Sequence, residues 1–349
     1  MNVEDAIIDV DDKILITGAN GFIGNRVVCS LLEKGFTNLS CLVRSNKNLN
    51  NLLSNNNNSK TEIIKGNLLS KDDCKFAARD ASVIIHLAAG VGKAYSTCVL
   101  NSVVTTRNLL DAALEETKLK RFVNISSFAV YDPTNLKRGA LLDETCPIIQ
   151  HPEKRGEAYC YGKVKQDELV MEYSRKHGIS YVILRPGAVF GPGKNAITGR
   201  VGIDTFGIYF HMGGNNRIPL VYVDNCADAI VFAALKKGVD QEIFNVVDDD
   251  LPRSCDFLKQ YKQHVKNFRS IDIHYQLSHM MCWIWEKYSK WSEGQLPPAF
   301  NTSRWAANWK GHRYTNEKLK RMTGWQPQIP MDEALKRYFD FSKRAGEIQ

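Results

Sequence analysis

Tyr161 and Lys165 stand four residues apart in the stretch YGKVK. Positions i and i+4 share one helix face, so an ammonium can lie beside a phenol and stabilise its ionised form. A lone phenol ionises near pH ~10 and is a poor base at neutral pH; a neighbouring cation moves it toward the working range. The same spacing also describes a solvated helix face, so the chemistry depends on what surrounds the pair.

A second pattern supplies that context. In ILITGANGFIG, residues 14–24, an apolar run leads into Gly18, Gly21 and Gly24, and Val27, Val28, Leu31 and Leu32 follow at helical spacing. Strand, tight turn and helix together present free N–H groups and the positive end of a helix dipole to a pyrophosphate. Gly18 suits the sharp turn, Gly21 a close backbone approach to the ligand, and Gly24 the packing of helix against sheet. The ligand this predicts is a dinucleotide.

Such groups need a scaffold to hold them. Strand-like runs at 14–17, 39–43, 62–65, 82–87, 122–125 and 181–184 alternate with helical segments, notably 102–116 and 159–177. The alternation predicts an α/β fold with a doubly wound parallel sheet, helices on both faces and ligands at the carboxyl ends of the strands. Residues 1–192 form the expected dinucleotide-binding domain. Residues 193–349 lose the regularity and read as a smaller, mixed substrate-binding part, with 218–248 returning to pack on the first unit. The Asn-rich tract at 45–60 reads as an exposed helix-loop. MMCWIWEKYSKW, at 280–291, is an aromatic-rich amphipathic segment, most simply buried packing, with a substrate wall or a membrane-surface face as alternatives.

Composition narrows the setting. The chain has 349 residues, 44% of them hydrophobic, and an acidic start, MNVEDAIIDVDD, with no apolar run long enough to span a bilayer. It reads as soluble and cytoplasmic. Nine cysteines without a C-x-x-C pair suit reduced thiols better than disulfides or zinc, so no metal is expected. The net charge of +8 is spread among acids, which fits a cleft for a small anion better than a nucleic-acid surface.

The glycine spacing is G-x-x-G-x-x-G. With it come, in order, GNLL (66–69), IIHLAA (84–89), Asn101, NISSFAVY (124–131), YGKVK (161–165), RPGAVFGPG (185–193), VYVDN (221–225) and GWQP (324–327). Together they resemble the short-chain dehydrogenase/reductase superfamily, in its extended branch of NAD(P)-dependent epimerases, dehydratases and hydroxysteroid dehydrogenases. The resemblance spans nearly the whole chain. It implies a Rossmann-like fold and hydride transfer at a secondary carbinol, with Ser127 holding the substrate oxygen, Tyr161 exchanging the hydroxyl proton, Lys165 beside it and Asn101 supporting the lysine. Phe22, Ile23, Leu87, Ala88, Ala89, Pro186, Gly187 and Val189 join the three glycines, Tyr161 and Lys165 as implied cofactor contacts, and Asn67 with Leu68 matches an adenine contact.

Arg44 ends the second strand where an acid would bind the ribose of NAD; an arginine there pairs with a 2′-phosphate, which favours NADP(H) over NAD(H). Lys194, Arg200 and Arg217 could clamp a substrate phosphate or could be solvated loop charges. Cys160 has no evident His partner and reads as packing. Phe128 and Ala129 follow Ser127 where dehydratases carry Asp-Glu, which disfavours water elimination by that route. Three functions remain in play: an oxidoreductase or epimerase acting on a nucleotide-linked sugar, a dehydrogenase of a sterol-like or other lipid alcohol, and a non-catalytic NADP-sensing regulator. A homodimer is possible under each.

Overall fold

Alternation within each strand builds the two faces of the main sheet. The computed structural model describes residues 5–45, 60–92, 94–194, 196–205, 207–293, 295 and 300–347. Seven parallel strands are β1 (Ile14–Thr17), β2 (Leu39–Val43), β3 (Glu62–Lys65), β4 (Val83–His86), β5 (Arg121–Ile125), β7 (Tyr181–Pro186) and β12 (Glu242–Val246). Their order is β12-β7-β5-β4-β1-β2-β3. Ile14, Ile16, Ile85, Val123 and Leu184 point to one face, where α1 (Gly24–Glu33) and α6 (Val223–Leu235) cover them. Leu15, Leu42, Ile84, Phe122 and Ile183 point to the other, against α2 (Lys71–Ala78), α4 (Thr105–Ala113) and α5 (Ala158–His177). Opposite-facing neighbours, all apolar, are what a sheet buried on both sides requires. The doubly wound parallel sheet is therefore observed.

Several boundaries differ from the sequence reading; the strand expected at 181–184, for one, continues to Pro186. The run at 82–87 ends in the ladder at His86, because Leu87 turns out to line a cleft. The strand at 122–125 starts one residue earlier with Arg121, whose buried guanidinium bonds Asp240 and the carbonyls of Ala233, Ala234 and Lys236. The helix expected from 102 begins at α3 (Tyr95–Cys98) and passes through a π-helical stretch, Val99–Val104, into α4. Most of the Asn-rich tract, 46–59, lies outside the described residues.

The rest of the chain flanks the carboxyl ends of the strands. Short pairs β6 (Leu141–Leu142) with β14 (Arg313–Tyr314), and β8 (Ala188–Phe190) with β11 (Leu220–Tyr222), accompany a mixed sheet of β9 (Gly202–Thr205), β10 (Ile208–His211) and β13 (Ser270–Asp272). α7 (Ser254–His264) and α11 (Met331–Glu347) close a second core around Phe257 and Tyr338, while α10 (Glu317–Thr323) returns Leu319 to the first. α8 (Tyr275–Trp291) packs on α9 (Thr302–Asn308) with Ser278, Cys282 and Ser289 inward. Its Leu277, Met281, Ile284, Tyr288 and Trp291 are exposed, which corrects the expectation of buried packing for this segment. Among the described residues no helix is long and apolar enough to cross a membrane.

Candidate active site

The glycine turn opens one end of a cleft of about 570 Å³ at the carboxyl ends of β1, β4, β5 and β7. Gly18 adopts φ +69°, a left-handed conformation that side chains strain against. A Cβ at Gly24 would stand 2.1 Å from the carbonyl oxygen of Gly18 and 2.9 Å from Cα of Ala19. The third glycine thus lets the turn close on itself, rather than admitting the helix to the sheet. Gly18, Gly21, Phe22, Ile23 and Gly24 line the cleft at the start of α1, where the helix dipole is positive.

At the other end stand Ser127, Tyr159 and Lys163. Tyr161 and Lys165 are not among the lining residues. The ring of Tyr161 meets Tyr95 edge-on at 5.5 Å, and Lys165 Nζ donates to Glu168 at 2.7 Å on the solvent side. The segment YCYGKVK holds two overlapping Tyr-x-x-x-Lys registers, and two residues along an α-helix turn a side chain through about 200°. Only Tyr159 and Lys163 therefore reach the cleft. A signal for this existed: Lys165, Glu168, Glu172 and Lys176 form one charged stripe, whereas Lys163 keeps company with Val164, Gln166, Asp167 and Val170 on the buried face.

Ser127 Oγ accepts from the Ala129 N–H at 3.2 Å, and its hydroxyl lies near enough to the Tyr159 phenol to favour the phenolate. Burial pushes the Tyr159 phenol up, and the Ser127 hydroxyl opposes that rise. Lys163 Nζ donates to the Ile125 carbonyl at 2.5 Å and to Gln166 Oε1 at 2.9 Å, which leaves one of its three protons for a ligand. Burial brings its pKa down to about 8, against the pull of Asp167. Asp167 itself pairs with Arg185 at 3.1 Å, both wholly buried, and accepts from Ser126 Oγ and Asn124 Nδ2 at 2.8 and 2.9 Å. Ser126 also lines the cleft but gives its hydroxyl proton to Asp167, which leaves Ser127 as the serine whose hydroxyl proton is free for a ligand.

The other expected residues divide. Leu87, Ala89, Pro186, Gly187, Val189, Lys194 and Arg200 line the cleft. Arg200 also donates to the Ala307 carbonyl at 2.6 Å, and Lys194 to the Val189 carbonyl at 3.1 Å. Ala88, Arg44, Asn67, Leu68, Asn101 and Arg217 are not lining residues. Ala88 donates its N–H to Thr17 Oγ1 at 3.3 Å. Arg44 is exposed just past β2. Asn67 Oδ1 accepts from its own loop, at the Leu69 N–H, and Leu68 is buried. Asn101 lies within the π-helical stretch, not at a helix start, and donates to the Thr97 carbonyl at 2.9 Å. Arg217 is held by the Leu251 carbonyl.

Arg155 and Glu157 line the cleft without having been singled out in the sequence. Arg155 is wholly buried and donates to the carbonyls of Ala129 and Tyr131, both at 2.6 Å, so it braces the loop that carries Ser127. Nothing in the local sequence distinguishes it from a solvated base. Among the described residues no group of three or more His, Cys, Asp or Glu could hold a metal ion.

Comparison with known proteins gives the family and the fold. Residues 14–246 match the model of the NAD dependent epimerase/dehydratase family. Cinnamoyl-CoA reductase 1 of Petunia hybrida is 30% identical over 51% of this chain and 55% of its own length. The chain thus matches about half the length of that reductase. Sterol-4-alpha-carboxylate 3-dehydrogenase, decarboxylating, of Mus musculus is 22% identical over 93% of this chain and 89% of its own. Among solved structures, UDP-glucuronic acid 4-epimerase from Bacillus cereus in complex with NAD superposes with TM-score 0.69 and 22% identity, covering 95% of this chain and 99% of that one.

Proposed function

Because the chain belongs to the NAD dependent epimerase/dehydratase family and is an enzyme of that family, we propose that Ser127, Tyr159 and Lys163 carry hydride-transfer chemistry at a secondary alcohol or ketone carbon. The observation that supports this is their convergence on a cleft whose far end is the glycine turn. The turn fits a dinucleotide, since Gly18, Gly21 and Gly24 line the cleft at the start of α1, where free N–H groups and the positive end of the helix dipole suit a pyrophosphate. The nicotinamide group, when bound, accepts or supplies the hydride. Tyr159 Oη exchanges the proton of the substrate hydroxyl, Ser127 Oγ orients that oxygen, and the Lys163 ammonium stabilises the phenolate. Oxidation of the alcohol passes a proton to the phenolate as the carbon loses hydride; reduction reverses both.

The substrate we favour is a nucleotide-linked sugar, because Lys194 and Arg200 place two cations on the cleft wall. A lipid alcohol is the second reading, favoured by the length of the sterol dehydrogenase match and by the apolar wall of Leu87, Val91, Phe128 and Val189. For the cofactor, Arg44 at the end of β2 favours NADP(H). Tyr159→Phe should lower kcat by ~10²–10⁴ while Tyr161→Phe stays within about two-fold; equal losses in both would overturn the assignment. Protection against heat by uridine diphosphate sugars but not by sterols supports the sugar, and the reverse supports the lipid alcohol. Turnover with NAD exceeding that with NADP, unchanged in Arg44→Ala, would refute the cofactor preference.

A further inference from the structure

A buried chain of hydrogen bonds runs from the end of β1 to Lys163, and its polarity is fixed at every link. Thr106 Oγ1 donates to the Ser102 carbonyl at 2.5 Å, an oxygen that can only accept. The hydroxyl has a single proton, so it must accept from both remaining neighbours, Gln166 Nε2 at 2.8 Å and His86 Nε2 at 2.9 Å. The first bond fixes the amide of Gln166, with Oε1 toward Lys163 Nζ at 2.9 Å. The second fixes His86 as the Nε2–H tautomer, so Nδ1 accepts from Thr17 Oγ1 at 2.8 Å. Thr17 Oγ1 then accepts the Ala88 N–H at 3.3 Å. Thr106, His86, Gln166 and Thr17 are all buried.

We infer that Gln166 is the positioning residue of the site: it aims the Lys163 ammonium into the cleft, and Thr106 and His86 hold its amide in the one orientation that offers oxygen. This rests on the reading of Lys163 as the lysine that acts with Tyr159. A buried lysine can be held by a carboxylate or by a neutral dipole, and the two choices differ in consequence. A carboxylate would neutralise the ammonium and raise its pKa; the Gln166 carbonyl fixes direction while leaving the charge available. The charged groups around Lys163 are few. Asp167 stands on its own helix and is occupied by Arg185 from β7, His86 faces it from β4 in neutral form, and Tyr159 lies one turn earlier. Gln166 is the group among them that can be changed in charge without breaking the Asp167–Arg185 pair.

The test compares Gln166→Glu and Gln166→Leu in the full chain, with two readouts taken across pH 6 to 10. One is the alkaline limb of kcat/KM. The other is the affinity for NADPH, followed by its fluorescence with no substrate present. Gln166→Leu removes an acceptor from a charged donor, so NADPH binding at pH 7 should weaken about ten- to a hundred-fold and the limb should move down. Gln166→Glu, near-isosteric, should move the limb up by about one pH unit or more. Opposite displacements support the inference, whereas limbs unmoved, or moved the same way in both variants, overturn it. Should Gln166→Leu fail to fold, an upward displacement in Gln166→Glu still supports the inference, and a limb unmoved or moved down in that variant overturns it. Tyr159→Phe separates the underlying reading: full activity there removes the proposed mechanism, yet the NADPH arm still reports whether Gln166 positions the lysine.

Discussion

Acidification should unfold this protein in part through His86. The ring is fully buried in β4, both nitrogens are engaged by threonine hydroxyls, and burial, followed by the nearby Lys163 charge, brings its pKa from 6.5 down to about 3. In the unfolded chain the same imidazole titrates near 6.5. Between those values the unfolded state binds a proton that the native state does not. The contribution of His86 is therefore complete above pH 6.5 and is lost progressively as the pH falls toward 3. Each pH unit inside the window costs ~1.4 kcal/mol, so moving from pH 6.5 to 4.5 removes ~2.7 kcal/mol and the full window on the order of 5 kcal/mol. That is a large share of the ~5–15 kcal/mol that holds a typical domain folded. Urea unfolding of wild type and His86→Gln at pH 6.5, 5.5 and 4.5 isolates the effect, because glutamine keeps polar contacts with Thr17 and Thr106 but cannot gain a proton. The stability advantage of wild type over the variant should shrink by ~1.4 kcal/mol per pH unit. An advantage that stays constant over those three values would refute the reasoning.

Three further outcomes follow from the same geometry. Gly24→Ala places a methyl 2.1 Å from the Gly18 carbonyl oxygen, so it should cost ~1–3 kcal/mol by calorimetry and abolish detectable NADPH binding. Asp167→Asn leaves the Arg185 guanidinium buried without a counter-charge and should destabilise by ~3–5 kcal/mol, seen as a lower Tm with the circular dichroism otherwise retained at 20 °C. Arg200→Ala should raise KM for a uridine diphosphate sugar ~10-fold or more while leaving the affinity for NADPH unchanged; an equal effect on both would place Arg200 with the cofactor instead.

Much of the scaffold was legible because its strands obey a simple rule. β1 and β2 follow apolar runs, and burial on both faces keeps those runs nearly continuous, whereas the edge strand β3 carries exposed Glu62 and Lys65 at its two ends. Arg121 broke the rule at the start of β5, since its charge is cancelled by partners more than a hundred residues away. In the site, the glycine turn was legible as a unit, whereas the reason for Gly24 lies in the backbone of the turn itself and needs coordinates. The tyrosine and lysine were legible only as a choice between two registers. Spacing alone cannot separate Tyr159–Lys163 from Tyr161–Lys165, but helix phase can, once Glu168 and Glu172 are seen to claim the outer face for Lys165. Arg217 and Arg200 look alike in sequence; which of them reaches the cleft depends on where each loop crosses the strand ends.

The two jaws of the cleft differ in stiffness. One is bolted to the sheet, where Lys163, Ser126, Asp167 and Arg185 share a buried, hydrogen-bonded framework. The other ends in Ala307 and Asn308 on α9, a seven-residue helix whose Trp305 packs on Tyr275 and His279 of α8 in a small satellite core, while the far side of α8 is exposed. Hydrogen exchange should run faster in α8 and α9 than in α5. Under the proposed function, differences in substrate girth should then be taken up on the α9 side, with the reacting carbon held against the sheet-bound jaw.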